Sequence, residues 1–300
     1  MSVLNTTNED HTTSLAFLDS IRVKFNPEYF YSVTNNSNKL LICAGDSWTW
    51  GDSLGSKLEF PNDEVKDQHR KKHLYGSIIS KKINSDFINI AKKGGSNIEI
   101  HDMLAMVLED VVLGNLYNEI HIIICLTENF REASGDPIWV PPNLNNIETI
   151  DDFFKTYEQN MFLSFKENFI DKYPDINFYI GRNFTFSYDE TILGDNVLDK
   201  LWIQCLEINE PYPKDVRFTS AIAVTPLITC LIKLGIYKKL KYSLMEFFAR
   251  SNLAVDWLEN SPLNYKEATK HPTEKGHEIY ANYIYSKIKE RLDECIKYCQ

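Results

Sequence analysis

No stretch of this 300-residue chain is apolar for long enough to cross a bilayer as a helix. Its most apolar windows, Ile120 to Leu126 and Ala221 to Ile232, fall short of the ~20 residues required, and Pro226 interrupts the second. The opening residues, Met1 to Asp19, lack both a basic start and a continuous apolar core, so no signal peptide is expected and the predicted location is the cytoplasm. Basic charge is the scarcer sign, with 32 Lys and Arg against 42 Asp and Glu and a net charge of −10. A field of that sign repels phosphate, which argues against nucleic acid as a partner and against a membrane-surface role. The six cysteines include no C-x-x-C pair, and the seven histidines include no H-E-x-x-H, so neither a disulfide framework, nor a metal site, nor another cofactor is expected. Internal repeats and low-complexity tracts are absent as well.

What is present is 43% apolar residues, enough for a sizeable core, arranged in alternating patterns. Leu40 to Ala44, Phe87 to Ile90, Ile120 to Leu126 and Ile176 to Ile180 are short apolar or β-branched runs, as in strands covered on both faces. Helical spacing occupies residues 64 to 83, 97 to 115 and 151 to 172, and Glu274 to Tyr298 reads as a long closing helix. Strand alternating with helix implies an α/β fold with right-handed crossovers and a parallel sheet. From 182 to 264 the pattern becomes mainly helical, near 197 to 208, 217 to 235 and 239 to 258. This stretch is expected to be an insertion or cap within a single domain spanning 1 to 300.

The first strand runs into Gly45-Asp46-Ser47-Trp48, which sets a hydroxyl at the strand's carboxyl end, where open α/β sheets carry their chemistry. Gly51-Asp52-Ser53-Leu54-Gly55 repeats the triplet and also satisfies G-x-S-x-G, but Trp48-Thr49-Trp50 precedes it in place of a strand. Strand context therefore selects Ser47 over Ser53. Asp46 and Ser47 equally suit a helix cap. After the second strand comes Asn89-Ile90-Ala91-Lys92-Lys93-Gly94-Gly95-Ser96-Asn97, a glycine turn that lets a backbone N–H approach a ligand, or an ordinary strand-to-helix turn. Cys125-Leu126-Thr127-Glu128-Asn129-Phe130-Arg131-Glu132 leaves the third strand, and Arg182-Asn183-Phe184-Thr185 the fourth. His271-Pro272-Thr273-Glu274-Lys275-Gly276-His277 leads into the closing helix.

Taken in order, these blocks resemble those of the SGNH hydrolase superfamily, the GDSL-type esterases and lipases. The resemblance implies a three-layer α/β/α, flavodoxin-like parallel sheet. It also implies hydrolysis of a carboxylic ester through an acyl-enzyme on Ser47, with His271 as general base. The oxyanion donors it implies are the Ser47 N–H, the Gly94 N–H and the Asn129 amide, with Gly95 as an alternative to Gly94. Asp46, Gly95, Arg131 and Arg182 are candidate substrate-binding residues. Two departures stand out. Thr127 and Phe130 replace the glycine and aspartate of the usual G-x-N-D, and Ala268 occupies the usual place of the carboxylate that orients the base. Glu267, one position away, is a candidate orienter, with Asp256 or a backbone carbonyl as others; a Ser47–His271 dyad is equally compatible. The expected substrate is a small-molecule or carbohydrate ester such as an O-acetyl sugar, with aromatic residues Phe184, Phe186, Tyr188, Trp202 and Tyr212 available to line a pocket. A catalytically silent binding or virion-associated module, and an acyltransferase using the same site, are the alternatives. Leu126-Thr127-Glu128 and Gly181-Arg182-Asn183-Phe184-Thr185 resemble stretches of phage-encoded members.

Overall fold

The computed structural model describes residues 9–25, 30–52, 54–55, 58–127, 156, 159–182, 190–200, 202 and 272–299. Within them five strands form one sheet: β1 (Phe30–Val33), β2 (Lys39–Gly45), β3 (Asp86–Ala91), β4 (Glu119–Leu126) and β5 (Asn177–Arg182). Their spatial order is β1-β3-β2-β4-β5. The four strands expected from the apolar runs pair in parallel, and β1 adds an antiparallel edge with Phe30 opposite Ile90. The order of the parallel strands is that of the flavodoxin-like sheet. The chain goes from β2 to β3 on one side, then returns past β2 to β4 on the other, so the strand order reverses at the β2/β4 crevice.

The alternation of side chains on these strands builds two cores. Leu40, Ile42, Ala44, Ile88, Ile90, Ile122, Ile124, Phe178 and Ile180 face one side. They meet α1 (Glu9–Val23), α5 (Asn97–Gly114) and the helix over residues 159–170, whose second half, Lys166–Ile170, is π-helical. Leu41, Cys43, Phe87, Ile123, Cys125 and Tyr179 face the other side, against α4 (Tyr75–Ile83) and the closing helix α6 (Glu274–Cys299). That pattern is what a period of two predicts for strands buried on both faces. In α5, Ile100, Leu104, Val107, Leu108 and Val111 form the buried stripe, while Ile98 and Val112 lie outside it.

The helix expected over 64 to 83 is two helices, α3 (Asp63–His73) and α4, broken at Leu74, whose ψ of 139° is not helical. The break is held from both sides. Ser77 Oγ donates to the Lys71 carbonyl at 2.6 Å, and the Tyr75 N–H at the start of α4 donates to His277 Nδ1 at 3.2 Å. Of the helix expected near 197 to 208, residues 197–200 are not helical, Val197 bridging in parallel to Ile180 beside β5, whereas Trp202 is helical and 203–208 lie outside the described residues. The expected helices at 217 to 235 and 239 to 258 lie outside the described residues.

Candidate active site

Gly45 ends β2, and the four-residue helix α2 (Ser47–Trp50) starts two residues later. The turn is closer than any other residue at 45 allows, because a Cβ there would overlap Thr49 Oγ1 and lie 2.7 Å from Thr49 Cβ and 3.2 Å from Cys125 Cβ. Asp46 caps α2, its Oδ1 accepting from the Trp48 N–H at 3.0 Å. Gly51, in the left-handed region at φ 77°, closes the other end of the helix. Its N–H and that of Asp52 both donate to the Ser47 carbonyl, at 3.0 and 3.1 Å. Asn89 on β3 adds a 3.4 Å bond from its side-chain amide to the Thr49 carbonyl. Ser47 is 8% exposed and stands at the carboxyl end of β2 beside the β2/β4 crevice.

A second set of bonds ties the far side of the crevice to the same turn. Thr127, the residue after β4, donates from Oγ1 to Asp46 Oδ2 at 2.9 Å. Asn97 then grips Thr127 by its backbone. The Thr127 N–H donates to Asn97 Oδ1 at 2.9 Å, and Asn97 Nδ2 donates to the Thr127 carbonyl at 3.0 Å. The start of α5 is thereby fixed to the end of β4, and the end of β4 to the turn that carries Ser47. The hydroxyl of Thr127 thus has a definite partner in Asp46. These three residues, all at most 2% exposed, form the scaffold beneath the serine. Asp46 thus acts in this structure as a cap and a tie, its two oxygens facing Trp48 and Thr127.

The glycine turn on the β3 side separates its two candidates. Gly95 is buried and its N–H donates to the Lys92 carbonyl at 2.9 Å. Gly94 is exposed at φ 68°, and a Cβ there would meet nothing within 4 Å, so open space adjoins its peptide. Ser96 then caps α5 in a capping box with Glu99. The Ser96-x-x-Glu99 spacing is a signal legible in the sequence, and it fixes where the glycine turn stops. Lys92 pairs with Glu99 and Lys93 with Asp52, so the turn is anchored both to α5 and to the loop after α2. A cleft of about 510 Å³ opens beside this turn, lined by Trp50 and by Asp52, Lys66, Asp67, Arg70 and Lys93.

Two thiols near the site are unsuited to act in place of the serine hydroxyl. Burial pushes Cys125, at the end of β4, up to about 11, with a neighbouring hydroxyl bond from Tyr280 acting the other way. Burial also raises Cys43 well above an ordinary thiol. Both are neutral at physiological pH and poor nucleophiles.

Of the residues singled out in the sequence, Asp46, Ser47, Gly94 and Gly95 gather at the carboxyl edge of β2 and β3. Arg182 ends β5 and pairs in register with Leu126 at the same edge of the sheet. Asn129, Arg131, Glu267 and His271, like the competing Ser53, lie outside the described residues. The segment after His271 is described: Pro272 and Thr273 are buried, and Glu274 begins α6. His277 is fully buried and bonds the start of α4, a packing role. Trp202, expected to be available to a pocket, lies instead in the core, stacked on Tyr280 at 4.3 Å and edge-on to Tyr75 and Trp48. Phe184, Phe186, Tyr188 and Tyr212 lie outside the described residues.

No family model matches the chain, and neither does any curated protein. Among solved structures, the chain is similar to a carbohydrate esterase family 2 enzyme with its carbohydrate-binding domain from the fungus Myceliophthora fergusii, at 14% identity and TM-score 0.41. That match covers 85% of this chain and 66% of the fungal one, just under two thirds of its length. A protein described as lipolytic, of the G-D-S-L family, from Desulfitobacterium hafniense matches at 12% identity and TM-score 0.32, over 83% of this chain and 99% of that one. An alpha/beta hydrolase enzyme from the metagenome of Lake Arreo matches at 11% identity and TM-score 0.34, over 83% and 93%. The fold assignment rests on the strand order and the two cores described above. No described helix is long and apolar enough to cross a membrane.

Proposed function

We propose that this chain is a serine esterase of the SGNH type. The observation that carries this reading is the position of Ser47: the first residue of a short helix at the carboxyl end of β2, beside the crevice where the strand order reverses, on a turn that only glycine at 45 permits. In the proposed reaction Ser47 Oγ adds to the ester carbonyl while His271 takes its proton. The tetrahedral intermediate collapses as His271 returns that proton to the leaving alcohol. Water then attacks the acyl-enzyme by the same route, releasing the acid and restoring the serine.

Negative charge on the carbonyl oxygen is held by the Ser47 and Gly94 N–H groups and by the Asn129 amide. Support for Gly94 over Gly95 comes from the turn, in which the Gly95 N–H is already bonded to Lys92. One such donor is worth about 2.7–4 kcal/mol of transition-state stabilisation, roughly 10²–10³ in kcat. With Ala268 in the usual place of the orienting carboxylate, His271 works either as a dyad with Ser47 or with Glu267 behind it.

The charged cleft beside Lys93 supports a hydrophilic alcohol portion, such as a carbohydrate bearing a short acyl group, over a long acyl chain. The test is covalent labelling by a fluorophosphonate. Labelling that disappears in Ser47→Ala and persists in Ser53→Ala supports the esterase; a wild-type chain that neither labels nor turns over short esters overturns it in favour of a silent binding module. Acyl transfer to added sugar in place of release to water identifies an acyltransferase.

A further inference from the structure

Glu274 opens α6 three residues after His271 and reaches across the molecule to the loop that follows α2. Its Oε1 accepts the Gly55 N–H at 2.7 Å and lies 2.9 Å from His69 Nε2 on α3. Gly55 itself is buried at φ 75°. A Cβ there would press 2.8 Å from the Phe60 ring and 3.2 Å from the His69 ring, so the peptide sits directly against His69. His69 is in turn packed by Phe60 at 5.2 Å and His73 at 4.4 Å between ring centroids. The carboxylate therefore has a fixed donor on each side.

From Gly55 the path back to the serine is short. Leu54 is 1% exposed and anchors the loop in the interior. Asp52 and Gly51, two and three residues before it, both donate their N–H groups to the Ser47 carbonyl. A single carboxylate oxygen thus links the loop that grips Ser47 to the first turn of the helix that follows His271. The two segments are 219 residues apart in sequence at this bond.

We infer that Glu274 is a positioning residue that sets the Ser47 loop against the His271 segment by accepting the Gly55 N–H, with His69 holding its carboxylate in place. The inference rests on the reading of Ser47 and His271 as nucleophile and base. General-base catalysis depends on the separation and angle of such a pair, and a displacement of 1 Å costs about 10²-fold in rate. A hydrogen bond near the base of each segment is the kind of support that limits such displacement.

The experiment compares wild type with Glu274→Ala, Glu274→Gln and Glu274→Asp by three readouts: amide exchange at Gly55, the rate of fluorophosphonate labelling at Ser47, and kcat against KM for a short ester. In Glu274→Ala the Gly55 amide exchanges faster, while labelling and kcat fall together by about 10- to 100-fold with KM little changed. Glu274→Gln keeps an acceptor oxygen at the same reach and stays near wild type in all three. Glu274→Asp withdraws the acceptor while preserving the charge, and behaves like the alanine variant, which keeps the test available should that variant fold poorly. A freed Gly55 amide with unchanged labelling overturns the positioning role, as does an unchanged Gly55 amide or a glutamine variant as slow as the alanine one. If wild type shows no labelling at Ser47, the esterase reading itself fails, and Gly55 exchange still reports whether the clamp exists.

Discussion

The two edges of the sheet use the same device to different ends. At the amino edge Asp86 starts β3 with no exposure. Its Oδ1 accepts the Asn35 N–H at 2.7 Å and the Ser37 N–H at 3.3 Å, and its Oδ2 accepts the Tyr117 hydroxyl at 3.0 Å. At the carboxyl edge Asp46 follows β2, caps α2 and accepts the Thr127 hydroxyl. Each is a buried aspartate that fastens a strand end to the loop of a neighbouring strand. Around Asp86 the bonds come from loops that close over it, with Asn35 also donating to the Ser85 carbonyl at 2.6 Å. Around Asp46 the bonds come from the first turn of α2 and from the end of β4, and the next residue is Ser47, with the open turn at Gly94 on the same edge. A tie that only staples at one end becomes, at the other, the support for the proposed nucleophile. This difference predicts that lesions at the two edges separate stability from chemistry.

The largest expected effect is Ser47→Ala. It lowers kcat for a short ester by at least about 10³-fold while changing the melting temperature far less than the activity. Gly45→Ala comes next. The new Cβ meets Thr49 and Cys125, so α2 must shift, which costs about 1–3 kcal/mol in urea unfolding and removes activity at temperatures where the chain is still folded. The sharpest test of the comparison is a matched pair, Thr127→Val and Tyr117→Phe. Each deletes one hydroxyl bonded to a buried aspartate, and each should cost about 1.5–3 kcal/mol of stability. Only Thr127→Val should also lower kcat, by about tenfold or more, because the Asp46 turn carries the serine. Equal kcat values in the two variants would break the comparison.

A smaller effect concerns pH. The folded pKa of Cys125 is raised by burial to about 11, so between its ordinary value and 11 the unfolded chain has lost the thiol proton while the folded one keeps it. The unfolded state then binds fewer protons, and stability falls as pH rises through that window, by an amount on the order of 3 kcal/mol. The gap between urea midpoints at pH 8 and pH 10.5 should narrow in Cys125→Ala without closing, because buried Cys43 is raised as well.

How much of this was legible in the sequence follows from the range of the interactions involved. The four parallel strands were readable because continuous apolar runs bounded by polar turns are a local signal, and the strand leading into Gly45-Asp46-Ser47 selected one serine of two. Strand β1 is not legible, because four residues on an edge, only Phe30 of them buried, carry little periodic signal. The break at Leu74 was hidden for another reason: what caps α4 there is His277, which belongs to α6. The role of Thr127 was equally hidden. A threonine just past a strand is visible in the sequence, whereas its partner, Asp46, is 81 residues away and is reached only through the fold.

The central claim is that Ser47 is the group that attacks. Intact-mass spectrometry with peptide mapping after exposure to a fluorophosphonate tests it most directly. The account predicts one adduct on the peptide containing Ser47, absent from Ser47→Ala and retained in Ser53→Ala; an unlabelled chain, or an adduct on Ser53, contradicts it.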